Sequence, residues 1–196
     1  MIYIVHPDYR NYKSFVFDHK AVRRALGSDT QFHFARAPQR YRANWHPFEI
    51  SFESLASSKG SLPDIMVRNG RLFLSETATL VLHELIASQG ELLPVDYQGQ
   101  NGMLFNILAT AEDVDGVDVQ LSLKNEFGEV VALEFREGNL KELDIFRTSF
   151  DNYIGVYCSE RFKSTVESAG LKGLIFSSDT GTQAPPDVQA KSPSKQ

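Results

Sequence analysis

The chain has 196 residues, 42% hydrophobic and 11% aromatic, with a net charge of −5. That is enough apolar material for a sizeable core and rules out a globally disordered polypeptide. No apolar run approaches the ~18 residues that span a bilayer, and Cys158 is alone, which excludes an internal disulfide and points to a reducing compartment, the cytoplasm.

The N-terminal MIYIVHPDYRNYK has no basic lead and only a brief apolar stretch, unlike a secretion signal. MIYIV, β-branched and aromatic, reads as a buried opening strand. HKAVRRALG predicts a short helix with Asp18 as N-cap and Gly27 just past its end. QFHFA, residues 31–35, alternates and predicts a strand. RAPQRYRANWHPF, residues 36–48, is basic and aromatic without a period, and reads as a long loop. EISFESLASSKGSLP predicts a short strand and a helical turn before a Ser/Gly/Pro-rich connection.

Asn69-Gly70 stands between two apolar runs and predicts a hairpin, since both residues accept the positive φ angles of a type I′ turn. The second strand leads to Ser75, the predicted N-cap of a helix over 76–88, with Glu76 at its positive end. Ala78, Val81, Leu82, Leu85 and Ile86 follow the spacing of one buried helical face. Gly90 stops the helix and ELLPV follows as a strand. GMLFNILATAED reads as a strand, its Leu/Ala content leaving a helix open, EDVDGVDVQLSL as a turn and edge segment, and GEVVALEF as a strand, while LKELDIFRTS has no clean period. YIGVYCS predicts a strand delivering the chain to Ser159, a second N-cap, and a helix over 160–169 that buries Phe162, Val166 and Ala169. KGLIFSS closes as a strand, and residues 178–196, lacking an apolar face, predict a disordered tail. The expected class is α+β: a mixed, mainly antiparallel sheet carrying two or three short helices, with a strand–capped helix–strand unit used twice. One domain is expected over 1–177, divisible into an N-terminal lobe (1–60) and a core (61–177).

Few residues point to chemistry. Neither Ser75 nor Ser159 has the flanking glycines of a nucleophile elbow, so both are read as structural caps. HELIA lacks the second histidine of a zinc-protease helix, because Ala87 stands in its place. The acidic run Glu112, Asp113, Asp115, Asp118 has its glycine too early for a calcium loop, and Lys124 occupies the position of the bidentate acid. No metal and no cofactor is expected. Cys158 lies on an apolar strand and reads as a buried thiol, and the histidines at 6, 19, 33, 46 and 83 are scattered.

Charge and aromatics are the better guide. Residues 1–60 hold nine Lys/Arg against five Asp/Glu, whereas residues 61–150 hold six against fifteen. An acidic midsection repels nucleic acid and attracts a basic partner. Glu112, Asp113, Asp115 and Asp118 are therefore candidate contacts for such a partner, with Tyr41, Arg42 and Trp45 as aromatic and basic anchors on another face.

LPDIMVRNGRLFLSETATLVLHEL, LLPVDY, DGVDVQLS and DIFRTSFDNYIGVYCSERFKSTVESAGLKGLIF occur in that order over residues 62–177. In this order of motifs the chain resembles the immunity protein 11 family, encoded beside bacterial polymorphic toxins that include type VI secretion effectors. The most specific pieces are Pro63-Asp64-Ile65, LFLSE, the stretch holding Asp115, Asp118 and Ser122, and the closing strand–helix–strand. Cys158 before the second Ser-Glu is a small departure, and the first 60 residues match only loosely. The resemblance implies a cytoplasmic, non-enzymatic protector that binds and neutralises a cognate toxin with a basic surface by blocking its active site, with no membrane or nucleic-acid partner. Two other readings stay open: a hydrolase built around Cys158 and a histidine, and a generic protein-interaction domain.

Overall fold

The computed structural model describes residues 1–55 and 60–183. Residues 56–59, within the stretch EISFESLASSKGSLP where a helical turn is expected, lie outside them, as does the expected tail from residue 184 onward. The class is α+β, and all pairings between its named strands are antiparallel.

The chain opens with β1 (Ile2–Pro7), β2 (Ser14–Phe17), helix α1 (His19–Leu26) and β3 (Ile50–Glu53). The hairpin strands β4 (Ile65–Arg68) and β5 (Arg71–Leu74) follow, then helix α2 (Glu76–Ile86), β6 (Gly90–Tyr97) and β7 (Gln100–Ile107). The remainder holds β8 (Leu123–Lys124), β9 (Val130–Ala132), β10 (Ile145–Phe146), β11 (Tyr157–Ser159), helix α3 (Glu160–Ser168) and β12 (Leu174–Ser177).

Two four-stranded sheets carry the fold, ordered β4-β5-β7-β6 and β10-β11-β1-β12. The same pattern appears in both. A hairpin-like pair leads into a capped helix, and the strand after the helix runs parallel to the one before it, with one antiparallel strand between them. In the first sheet that inserted strand is β7, which follows β6 by a tight turn. In the second it is β1, from the other end of the chain. α2 packs on β5 and β7, α3 packs on β11 and β1, and the helices touch each other. Ser75-Glu76 and Ser159-Glu160 thus open the helices of two similar strand–helix–strand crossovers.

Strand alternation distributes the side chains into three cores. The central one lies between the sheets and holds Leu72, Leu74, Phe105, Val156 and Cys158 with Ala78, Leu82, Ile86, Phe162 and Val166 of the helices. The outer face of the first sheet, with Met66, Phe73, Leu93 and Leu104, is covered by the two-stranded β2–β3 sheet, α1 and the loop that follows it. The outer face of the second, with Ile2, Ile4, Phe146 and Tyr157, is covered by a layer spanning 109–143. β1 therefore belongs to the second sheet, whereas the rest of the first 55 residues caps the first.

Local signals hold where they were strong. Asp18 accepts from the amides of Lys20 and Ala21, Ser75 from Ala78 and Ser159 from Phe162. Asn69 and Gly70 take φ values of 50° and 70°, closing β4 onto β5. Four expectations need correction. QFHFA is a turn: the Gln31 carbonyl accepts from both Phe34 and Ala35 amides, and Phe32 is drawn into the aromatic core. YIGVYCS is a strand only over Tyr157–Ser159, because the buried Asp151 carboxylate captures the Ile154 and Gly155 amides. GEVVALEF shortens to Val130–Ala132, since the Ser122 hydroxyl replaces a backbone partner at Glu134. Val81 and Ala169 are exposed rather than buried. At the C-terminal end, Thr180 donates to the Leu133 carbonyl and Gln183 to Asp151, so 178–183 lie along the second sheet's outer layer.

Candidate functional site

The acidic layer is built onto the second sheet by Ala111, Val117, Leu133 and Leu140. It starts with a single 3₁₀ turn, Ala111–Val114, held by a reciprocal box: Thr110 Oγ1 accepts from the Asp113 amide at 3.3 Å, and the Asp113 carboxylate accepts from the Thr110 amide at 3.0 Å. Asp115, at φ 52°, ends the turn. Its carboxylate meets Arg136 at 2.5 Å, and Asp118 lies 3.8 Å from the same guanidinium. Glu112 reaches across to the next loop and accepts from the Thr148 hydroxyl and the Ser149 amide and hydroxyl at 2.6–2.9 Å.

The four acids lie together, and each has a structural task. Glu112 and Asp113 hold turns, and Asp115 and Asp118 share Arg136. Glu126 and Glu134 are exposed, and their carboxylates have no hydrogen-bond or ion-pair partner among the described residues. Across 111–142 there are nine Asp/Glu and three Lys/Arg, so the layer stays strongly acidic after the internal pairings.

The same layer exposes apolar side chains that the sequence reading missed. Val119, Leu121, Leu123, Phe127 and Val131 are each more than half exposed, Phe127 at 80%. They fall on the β8–β9 hairpin and its approach, which is two-stranded and irregular in register. Alternation at 119, 121 and 123 looks like a buried strand face, but no further layer among the described residues covers it. A groove of about 260 Å³ between Glu112, Asp115, Val119 and Phe150 adjoins this strip.

The segment 36–48 is anchored differently. Glu91 of β6 is buried and accepts from the Tyr41 and Arg42 amides and from Asn106 Nδ2. Tyr41 is itself buried, its ring edge-on to Phe32 at 5.0 Å, so it belongs to the core and is no exposed anchor. Trp45 is half-buried; its indole donates to the Pro94 carbonyl at 2.8 Å and its ring packs on Phe48. Arg42 alone of the three is fully at the surface.

Cys158 is fully buried in the central core, and burial pushes its thiol well up, with the Glu160 charge adding to the effect. It pairs with Tyr3 across β1, so by alternation His6 lies on the opposite face of that sheet. His19 and His33 stack at 3.9 Å in the N-terminal layer, and His46 and His83 are exposed. Among the described residues no histidine is seen in contact with Cys158.

No protein-family model matches the chain, and no curated protein matches it significantly. No helix among the described residues is long and apolar enough to cross a membrane.

Proposed function

We propose that this protein is a cytoplasmic immunity protein, which binds a toxin with a basic surface and blocks it by occupation, with no bond made or broken in a site of its own. The observation that carries this reading is the exposed strip Val119, Leu121, Leu123, Phe127 and Val131 set within an acidic layer. Apolar side chains gathered at a surface mark a protein contact, and a protruding aromatic is the usual anchor of one. The acidic surroundings select the partner: a cationic substrate cleft is attracted at long range and held at short range. Fast capture matters to such an inhibitor, because toxin turned loose acts before equilibrium is reached. The resemblance of its order of motifs to the immunity protein 11 family points the same way.

Co-expression with the product of the neighbouring reading frame tests it. The full chain restores growth, and a Leu121→Ser/Phe127→Ser variant, still folded by circular dichroism, loses most of the protection. No rescue by the parent chain removes the immunity reading; full rescue by the variant moves the contact elsewhere.

A further inference from the structure

A second surface lies in the basic part of the molecule and shares no lining residue with the acidic groove. A cavity of about 450 Å³, within the range of small-molecule sites, opens between the 32–36 turn, the β4–β5 turn and the 152–154 turn. Its walls include His33, Phe34, Arg36, Asn69, Arg71 and Tyr153, and no acid lines it.

Arg71 approaches from the first sheet and is only 5% exposed. Its Nη2 donates to the Phe32 carbonyl at 3.0 Å, and its guanidinium lies over the Phe32 ring at 4.1 Å and near the Tyr41 ring. Its Nε has no partner, nor does His33 Nε2 in the same cavity wall. Behind the turn stands Arg147, 3% exposed, donating to the Arg36 and Ile107 carbonyls at 2.7 Å, again with an orphaned Nε. Neither guanidinium has a carboxylate within ion-pair distance among the described residues. The charge of Asp151 reaches Arg147 only from beyond that distance, and this carboxylate is already held by Ile154, Gly155, Tyr157 and Gln183.

Two buried cations without a counter-charge are costly unless something completes them. Burial pushes Arg147 down to about 10, and the Arg71 charge adds to that shift. Asn69, Asn152 and Tyr153 at the same place all have φ between 50° and 59°, a region asparagine takes readily in turns but a tyrosine only under strain. Tyr153 is the least comfortable of them, and its ring stands 5.8 Å from the Arg147 guanidinium.

We infer that this cavity binds a small phosphorylated molecule with an aromatic ring, of the nucleoside monophosphate class. The phosphoryl group sits against Arg71, Arg36 and His33, where its negative charge balances the unpaired guanidiniums. The ring lies along Phe34, which is 68% exposed, and Tyr153. The inference does not depend on the toxin partner proposed above.

Calorimetric titration of the full chain with AMP, inorganic phosphate and adenosine is the test. AMP binds, phosphate binds about tenfold more weakly or worse, and adenosine does not register. Arg71 is structural, so the decisive variants are at the exposed rim. Arg36→Ala weakens both phosphate-bearing probes by about tenfold. Phe34→Ala abolishes the advantage of AMP over phosphate and leaves phosphate binding intact. Absence of AMP binding by the folded parent overturns the site. So does adenosine binding as tightly as AMP, or AMP binding indifferent to both substitutions.

Discussion

At His6 the imidazole is 2% exposed and Nε2 has no partner, so the fold favours its neutral form. Burial lowers its pKa below the ordinary 6.5, and the Asp179 charge offsets only part of that. The unfolded chain then binds the proton more readily than the fold. Stability is fully present above the ordinary value and is lost as pH falls below it, toward the depressed folded pKa. His33 shifts in the same direction, through burial first and then the charges of His19, Arg71 and Arg23. Urea midpoints should therefore fall as pH drops below about 6.5, and His6→Leu should flatten that fall. An unchanged slope would mean that His6 binds its proton as readily in the fold as in the unfolded chain. Cys158 makes the complementary case, because its raised thiol in the central core is shielded from reagents. Cys158→Ala should cost about 1 kcal/mol of stability and leave protection intact. Protection lost from a folded Cys158→Ala protein would revive the hydrolase reading.

Among the elements, the two capped helices offer a controlled comparison. Ser75 makes one cap bond, accepting from the Ala78 amide at 3.2 Å. Ser159 accepts from the Phe162 amide at 3.1 Å and also donates to the Asp144 carboxylate at 2.6 Å, where Arg161 binds as well. Asp144 is 1% exposed, so removing that hydroxyl leaves a buried carboxylate short of a donor. Ser75→Ala should cost about 1 kcal/mol and Ser159→Ala about 2 kcal/mol, and equal losses in denaturant melts would refute the added role. These caps were legible because their donors and acceptors lie within four residues of one another, as does the Asn69-Gly70 turn. QFHFA was misread because the decisive contacts are remote: the Phe32 carbonyl is bound by Arg71, 39 residues on. The site divides in the same way. The acids at 112–118 could be seen in the sequence, but their neutralising partner Arg136 is 21 residues from Asp115. The basic cavity was invisible, since Arg36 and Arg147 meet across 111 residues.

Taken as a whole, the molecule contains the order strand, strand, helix, strand, strand twice, once continuously in β4-β5-α2-β6-β7 and once broken, with β1 supplying the last strand of β10-β11-α3-β12. The broken copy depends on β1 heavily, because β1 alone joins β11 to β12 and places Ile2 and Ile4 in one core and Val5 in another. Deleting residues 1–7 should therefore unfold the second half, exposing both faces of its sheet to water. The register also says where those residues could be reattached. Ser177 lies opposite Ile4, so β12 ends beside the start of β1, in the position where β6 meets β7 through Gln98-Gly99. A permuted chain that begins at Asp8 and carries residues 1–7 after Ser177, through a linker of about five residues, should recover the native far-ultraviolet spectrum and a single cooperative transition. It forfeits the contacts of Thr180 and Gln183 with the outer layer, so its midpoint should fall below that of the parent. A permuted chain as unfolded as the deletion would show that the two halves are alike only in strand order, and that β1 must be attached at its native end to seat in the sheet.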